Sequence, residues 1–105
     1  MNGMTSSNIT RILVHGGQLA AMAKSAFPAS PVEAFTDATL ASVDAAAGRA
    51  DLVLIEVDAA STDAIVAAIH RLALASPQPA VILTGAKIPI VLVRALLKLE
   101  RSDVL

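Results

Sequence analysis

Four times in this chain a short aliphatic run is followed by an alanine-rich stretch of helical length, and a fifth aliphatic run closes it. The runs are ITRILVH (Ile9 to His15), PVEAFT, DLVLIEV, PAVILTGA and the terminal DVL. Between them stand GQLAAMAKSAF, DATLASVDAAAGR, STDAIVAAIHRLALAS and IPIVLVRALLKLERS. Short β-branched runs bounded by Gly, Pro or Asp predict strands, whereas apolar residues returning every three to four positions predict helices. Leu19, Met22, Ala23 and Phe27 fit one face of the first helix, and Ile65, Ile69 and Leu72 one face of the third. Thr36 or Asp37 reads as the cap of the second helix, with Gly48 near its end. Ser61 or Thr62 caps the third, and Pro89 sits in the first turn of the fourth.

A βαβαβαβαβ order predicts a parallel sheet with right-handed crossovers and helices on both faces. The run after Asp51 is apolar without alternation, as expected of a central strand covered on both sides. In such a doubly wound fold function sits at the carboxyl ends of the strands. That edge receives His15 and Gly16 from the first strand, Glu56 and Asp58 from the third, and Thr84 from the fourth.

Composition limits what those groups could serve. The chain has 105 residues, enough for one domain that buries roughly two thirds of its unfolded surface. Hydrophobic residues make up 55%, which argues against disorder beyond the first eight positions. The net charge of −1, with acids and bases interspersed, leaves no electrostatic footprint for nucleic acid or an anionic membrane. Two Phe and no Tyr or Trp leave little for stacking on bases. The absence of Cys excludes disulfides, thiolate metal sites and a Cys nucleophile, and suits a reducing compartment. The N-terminus MNGMTSSNIT has neither a basic start nor an apolar core, so a cytoplasmic protein without a signal peptide or membrane insertion is expected. No Gly-x-x-x-x-Gly-Lys-Ser/Thr loop or dinucleotide fingerprint occurs. The HGG run lacks an accompanying Gly-x-Ser-x-Gly elbow, and His15 and His70 are too few for a metal site, so neither catalytic machinery nor a cofactor is expected.

The strand endings carry a resemblance. From Ile9 to Leu105 the chain resembles a response-regulator receiver domain, whose third strand reads Asp-Leu-Val-Leu-apolar-Asp with the final Asp as phosphoacceptor. Here DLVLIE puts Glu56 in that place, and Thr84 with Gly85 matches the Thr or Ser and small residue that end the family's fourth strand. The family's first strand ends in two acids that hold Mg²⁺, whereas this one ends in His15 and Gly16. RSDVL is similar to the family's fifth strand, but the chain stops before the Lys and the fifth helix that follow there. The resemblance therefore implies a flavodoxin-like receiver fold without its fifth helix and without its chemistry, because an anionic oxygen shell for Mg²⁺ is missing. Glu56 is either an imitation of the phosphorylated acceptor or a solvated carboxylate, and Asp58 is either the remaining acceptor or ordinary loop punctuation. VLVRALLKLERSDVL is most similar to the atypical receiver at the N-terminus of the CpaE/TadZ pilus-assembly proteins, a likeness covering about fifteen residues. That likeness implies a docking and dimerising module at the start of a longer protein. A ParA/MinD-like ATPase domain would follow it, and the module would work at the bacterial inner face in Flp pilus assembly and localisation. The alternative is a working phosphorelay receiver.

The fourth helix adds a physical reason for a partner. Arg94, Lys98 and Arg101 form one basic stripe, while aliphatic residues fill nearly all the rest of its circumference, about twice the arc of ~100° that a surface helix buries. Either neighbours cover its flanks or it is a docking surface. The second reading makes Ile90, Val93, Leu96 and Leu97, with Val104 on the neighbouring strand, the candidate interface of a homodimer. The missing fifth helix leaves half of one sheet face open to another copy, another domain or an N-terminal segment.

Overall fold

A computed structural model describes residues 10–105, so the N-terminal positions expected to be disordered lie outside the described residues. Five strands, β1 (Ile12–His15), β2 (Val32–Phe35), β3 (Leu52–Glu56), β4 (Ala80–Thr84) and β5 (Ser102–Val104), form one sheet. All pairs are parallel and the order is β2-β1-β3-β4-β5, the flavodoxin-like arrangement of a doubly wound α/β fold. Four helices connect them: α1 (Gly17–Ala26), α2 (Ala41–Ala46), α3 (Thr62–Leu72) and α4 (Ile90–Leu96).

Side chains alternate across a strand, so the sheet has two differently furnished faces. Leu13, Val53, Ile55, Val81 and Leu83 point towards α2, α3 and α4 and form the larger core with Val43, Ile65, Ile69, Leu72, Leu92 and Leu96. Ile12, Val14 and Leu54 point the other way, where among the described residues α1 alone packs, through Leu19, Ala20 and Ala23. A sheet of five strands spaced ~4.8 Å apart is about twice as wide as one helix of ~10 Å. One helix therefore leaves the β3–β4 side of that face open, and Ile82, whose partners in register are Leu54 and Asp103, is only half-buried.

Local signals decide where elements start and stop. The second helix is shorter than its alanine-rich sequence predicts: Leu40 takes a left-handed conformation (φ 59°), α2 begins at Ala41, and a 3-10 turn, Ala47–Arg49, finishes the segment. Leu40 therefore holds the cap position expected for Thr36 or Asp37, and Asp37, three residues earlier, reaches the first turn through its carboxylate, which accepts from the backbone N–H and the hydroxyl of Ser42. The third helix starts at Thr62 after a 3-10 turn, Ala59–Ser61. The fourth begins after Pro89, which is its cap residue rather than its first turn, and ends at Leu96. Two expectations for core faces need correction. Met22 is 66% exposed and Phe27 lies just past the end of α1, 43% exposed, so Ala20 takes the place expected for Met22 against the sheet. Arg101 lies well beyond the end of α4, where its guanidinium donates to the carbonyl of Gln78, and Lys98 lies in the turn that follows Leu96, so Arg94 is the one basic residue within the helix and Lys98 continues its flank.

Candidate functional site

Parallel strands bring His15, Gly16, Glu56, Asp58 and Thr84 to one edge of the sheet, on either side of the point between β1 and β3 where the chain reverses its winding. Glu56 ends β3, pairs in register with Thr84 and is half-buried. It separates two hollows. One, of about 260 Å³, is lined by His15, Gly16, Gly17, Thr36, Glu56, Asp58 and Ser61. The other, of about 400 Å³, lies between α1 and β4 and includes Glu56, Thr84, Gly85 and Leu105. Thus four of the five expected site residues share a hollow, and Thr84 lies across Glu56 from them.

Gly16 explains how a glutamate fits there. Its φ of 129° is open to glycine and strained for other residues, and a Cβ built on it would lie 2.6 Å from Glu56 Cβ and closer still to Glu56 Oε1. A Cβ on Gly17 would meet nothing, so it is Gly16 that leaves room for Glu56.

Asp58 is engaged by its own loop. Its Oδ1 accepts from the backbone N–H groups of Ala60 at 2.9 Å and Ser61 at 3.0 Å, and the Ser61 hydroxyl faces the Asp58 backbone in a capping box. Those bonds fix the entry into α3 and direct the carboxylate at backbone. His15 Nε2 lies 2.6 Å from the carbonyl oxygen of Asp37, which can only accept, so Nε2 carries the proton and donates. The Asp37 carboxyl is held below its ordinary value, chiefly by the Ser42 hydroxyl, then by the Ser42 N–H; partial burial opposes this and the neighbouring His15 contributes least. Asp37 reads as a helix cap in the sequence, and its tie to His15 across 22 positions has no local signal.

The chemistry of this donor set is limited. Mg²⁺ seeks an octahedral shell of oxygens. Glu56 and Asp58 are the only carboxylates lining the hollow, and one oxygen of Asp58, Oδ1, is engaged in its cap. Among the described residues no group of three or more His, Asp or Glu is placed to hold a metal ion. These residues do not fit the Mg²⁺ site of a receiver.

The expected interface residues divide. Ile90, Val93 and Leu97 are exposed, Leu97 at 80%. Leu96, expected beside them, is core: with Leu92, Ala95 and Leu99 it faces the sheet. Val104 is half-buried and packs on the same core, since β5 turns it to the side of Leu83. The aliphatic arc of α4 thus serves two surfaces, and it is the Ile90–Val93–Leu97 strip that faces outward. Val91 is exposed as well, on the flank towards α3. Among the described residues no helix is long and apolar enough to cross a membrane. Comparison with protein-family models, curated proteins and solved structures finds no match.

Proposed function

We propose that this domain is a non-catalytic, receiver-like interaction module that forms a homodimer through the outward strip of α4, within a protein of Flp pilus assembly or localisation. The observation that carries the interaction is the strip itself: Ile90, Val93 and Leu97 stand exposed on one side of a short helix whose opposite side is already packed. Three contiguous aliphatic side chains facing water are the mark of a docking surface, and two-fold symmetry would set the same patch on both partners. Fully burying one such side chain contributes ~1.5 to 3 kcal/mol, so three from each copy suffice for modest association after the entropy cost. The strand-edge cleft supports the non-catalytic part, because Asp58 is bound into a cap and the first strand ends in His15 and Gly16. The pilus role rests on the likeness of Val91 to Leu105 to the CpaE/TadZ receivers, which also suggests a ParA/MinD-like ATPase domain as neighbour and a cytoplasmic site at the cell pole or inner membrane face, reached through partners.

Sedimentation tests the dimer. The wild-type domain should sediment as a dimer at tens of micromolar and Leu97→Glu as a folded monomer; a monomeric wild type refutes the interface. Incubation with acetyl phosphate and Mg²⁺ tests the competing phosphorelay reading. A stable mass gain of one phosphoryl group, lost in Asp58→Asn, would replace the proposal with that reading.

A further inference from the structure

The side of α4 that turns towards α3 carries a different surface from the aliphatic strip. Val66 and His70 of α3 and Val91, Arg94, Ala95 and Lys98 of the α4 segment enclose a hollow of about 330 Å³ between the two helices. Its floor is aliphatic. Every ionisable group in its lining is basic, and no acid lines it. Arg49 and Arg71 are paired with Glu33 and Asp44, and Arg101 donates to a carbonyl, but Arg94 and Lys98, like Arg11, Lys24 and Lys87, make no ion pair or side-chain hydrogen bond among the described residues.

We infer that this α3–α4 groove docks an acidic segment of a partner protein, one aliphatic side chain of the segment seated on Val66, Val91 and Ala95 and flanking carboxylates set against Arg94, Lys98 and His70. Charge complementarity selects the occupant: basic groups around an apolar floor favour carboxylates bracketing an apolar anchor, and they repel a basic segment. Nucleic acid is disfavoured by the same features. A phosphate backbone is recognised by many cations over a long track, and this chain has a net charge of −1 and no Tyr or Trp. The groove lies on the other flank of α4 from Val93 and Leu97.

Selection from a random dodecapeptide display library on the immobilised domain, with counter-selection on Arg94→Gln/Lys98→Gln, tests the inference. Both residues are exposed, and circular dichroism verifies that the variant is folded; Lys98→Gln alone serves if it is not. Enriched peptides should carry Asp or Glu around a Leu, Ile or Val. A fluorescent copy of one should bind the wild type at least tenfold more tightly than the variant and weaken with added salt. Failure to enrich peptides that distinguish wild type from variant, enrichment without acids, or tighter binding of a labelled oligothymidylate than of the peptide would each overturn it.

Discussion

Gly16 and Glu56 are fitted to each other across 40 positions of sequence. A methyl group at Gly16 meets the Glu56 Cβ, which cannot swing aside as the carboxylate can. Gly16→Ala should therefore destabilise the fold by about 1–3 kcal/mol from backbone strain alone, and more from the clash. Adding Glu56→Ala should recover only part of that loss, since the Glu56 Cβ and the positive φ both remain; full recovery in chemical denaturation would contradict this account. Asp37 makes the pH-dependent contribution at this scale. A carboxyl lowered in the folded state stabilises above its ordinary value, and that contribution is lost as pH falls through the folded one. Ser42→Ala removes the largest cause of the shift. The Tm difference between wild type and Ser42→Ala should accordingly narrow as the pH falls below the ordinary carboxyl value, and a gap independent of pH would show that the Asp37–Ser42 bond is not the cause.

At the scale of elements, α4 is the instructive case: its seven residues and the turn that follows present three surfaces, a buried side of Leu92, Ala95 and Leu96, an aliphatic strip of Ile90, Val93 and Leu97, and a basic flank towards α3. Leu96 and Leu97 are neighbours in sequence with opposite fates, 4% and 80% exposed. Truncating Leu96 to Ala should cost about 2–5 kcal/mol through the lost contacts and the cavity left. Truncating Leu97 should change the stability of a folded monomer by less than about 0.5 kcal/mol and weaken self-association instead. Equal losses from both in urea unfolding, at a concentration where the protein is monomeric, would mean that the helix is rotated from the orientation described.

On the scale of the whole molecule, the sheet is covered unequally. Three helices pack one face and one helix the other. A core substitution should report that difference directly: Ile65→Ala, in the larger core, should cost about 2–5 kcal/mol, and Ile82→Ala, on the open side of the α1 face, distinctly less. Similar losses would indicate that the open side is covered in solution by another chain, and dilution would then reveal a concentration-dependent Tm.

The alternation of aliphatic runs with alanine-rich segments was enough to place five strands and four helices, because strand and helix periodicities are local properties of the chain. It also placed His15, Gly16, Glu56, Asp58 and Thr84 at one edge, since parallel strands end together. What it did not determine depends on direction in space. An arc of aliphatic residues on α4 reads the same whether it faces a sheet or water, so only packing assigned Leu96 to the core and left Leu97 outside. Helix ends moved for a similar reason: alanine permits a helix across Asp37 to Arg49, but the left-handed Leu40 starts it late. The division of the cleft by Glu56, the matched gap at Gly16 and the tie of His15 to the Asp37 carbonyl join residues from separate elements, and no local pattern encodes such contacts.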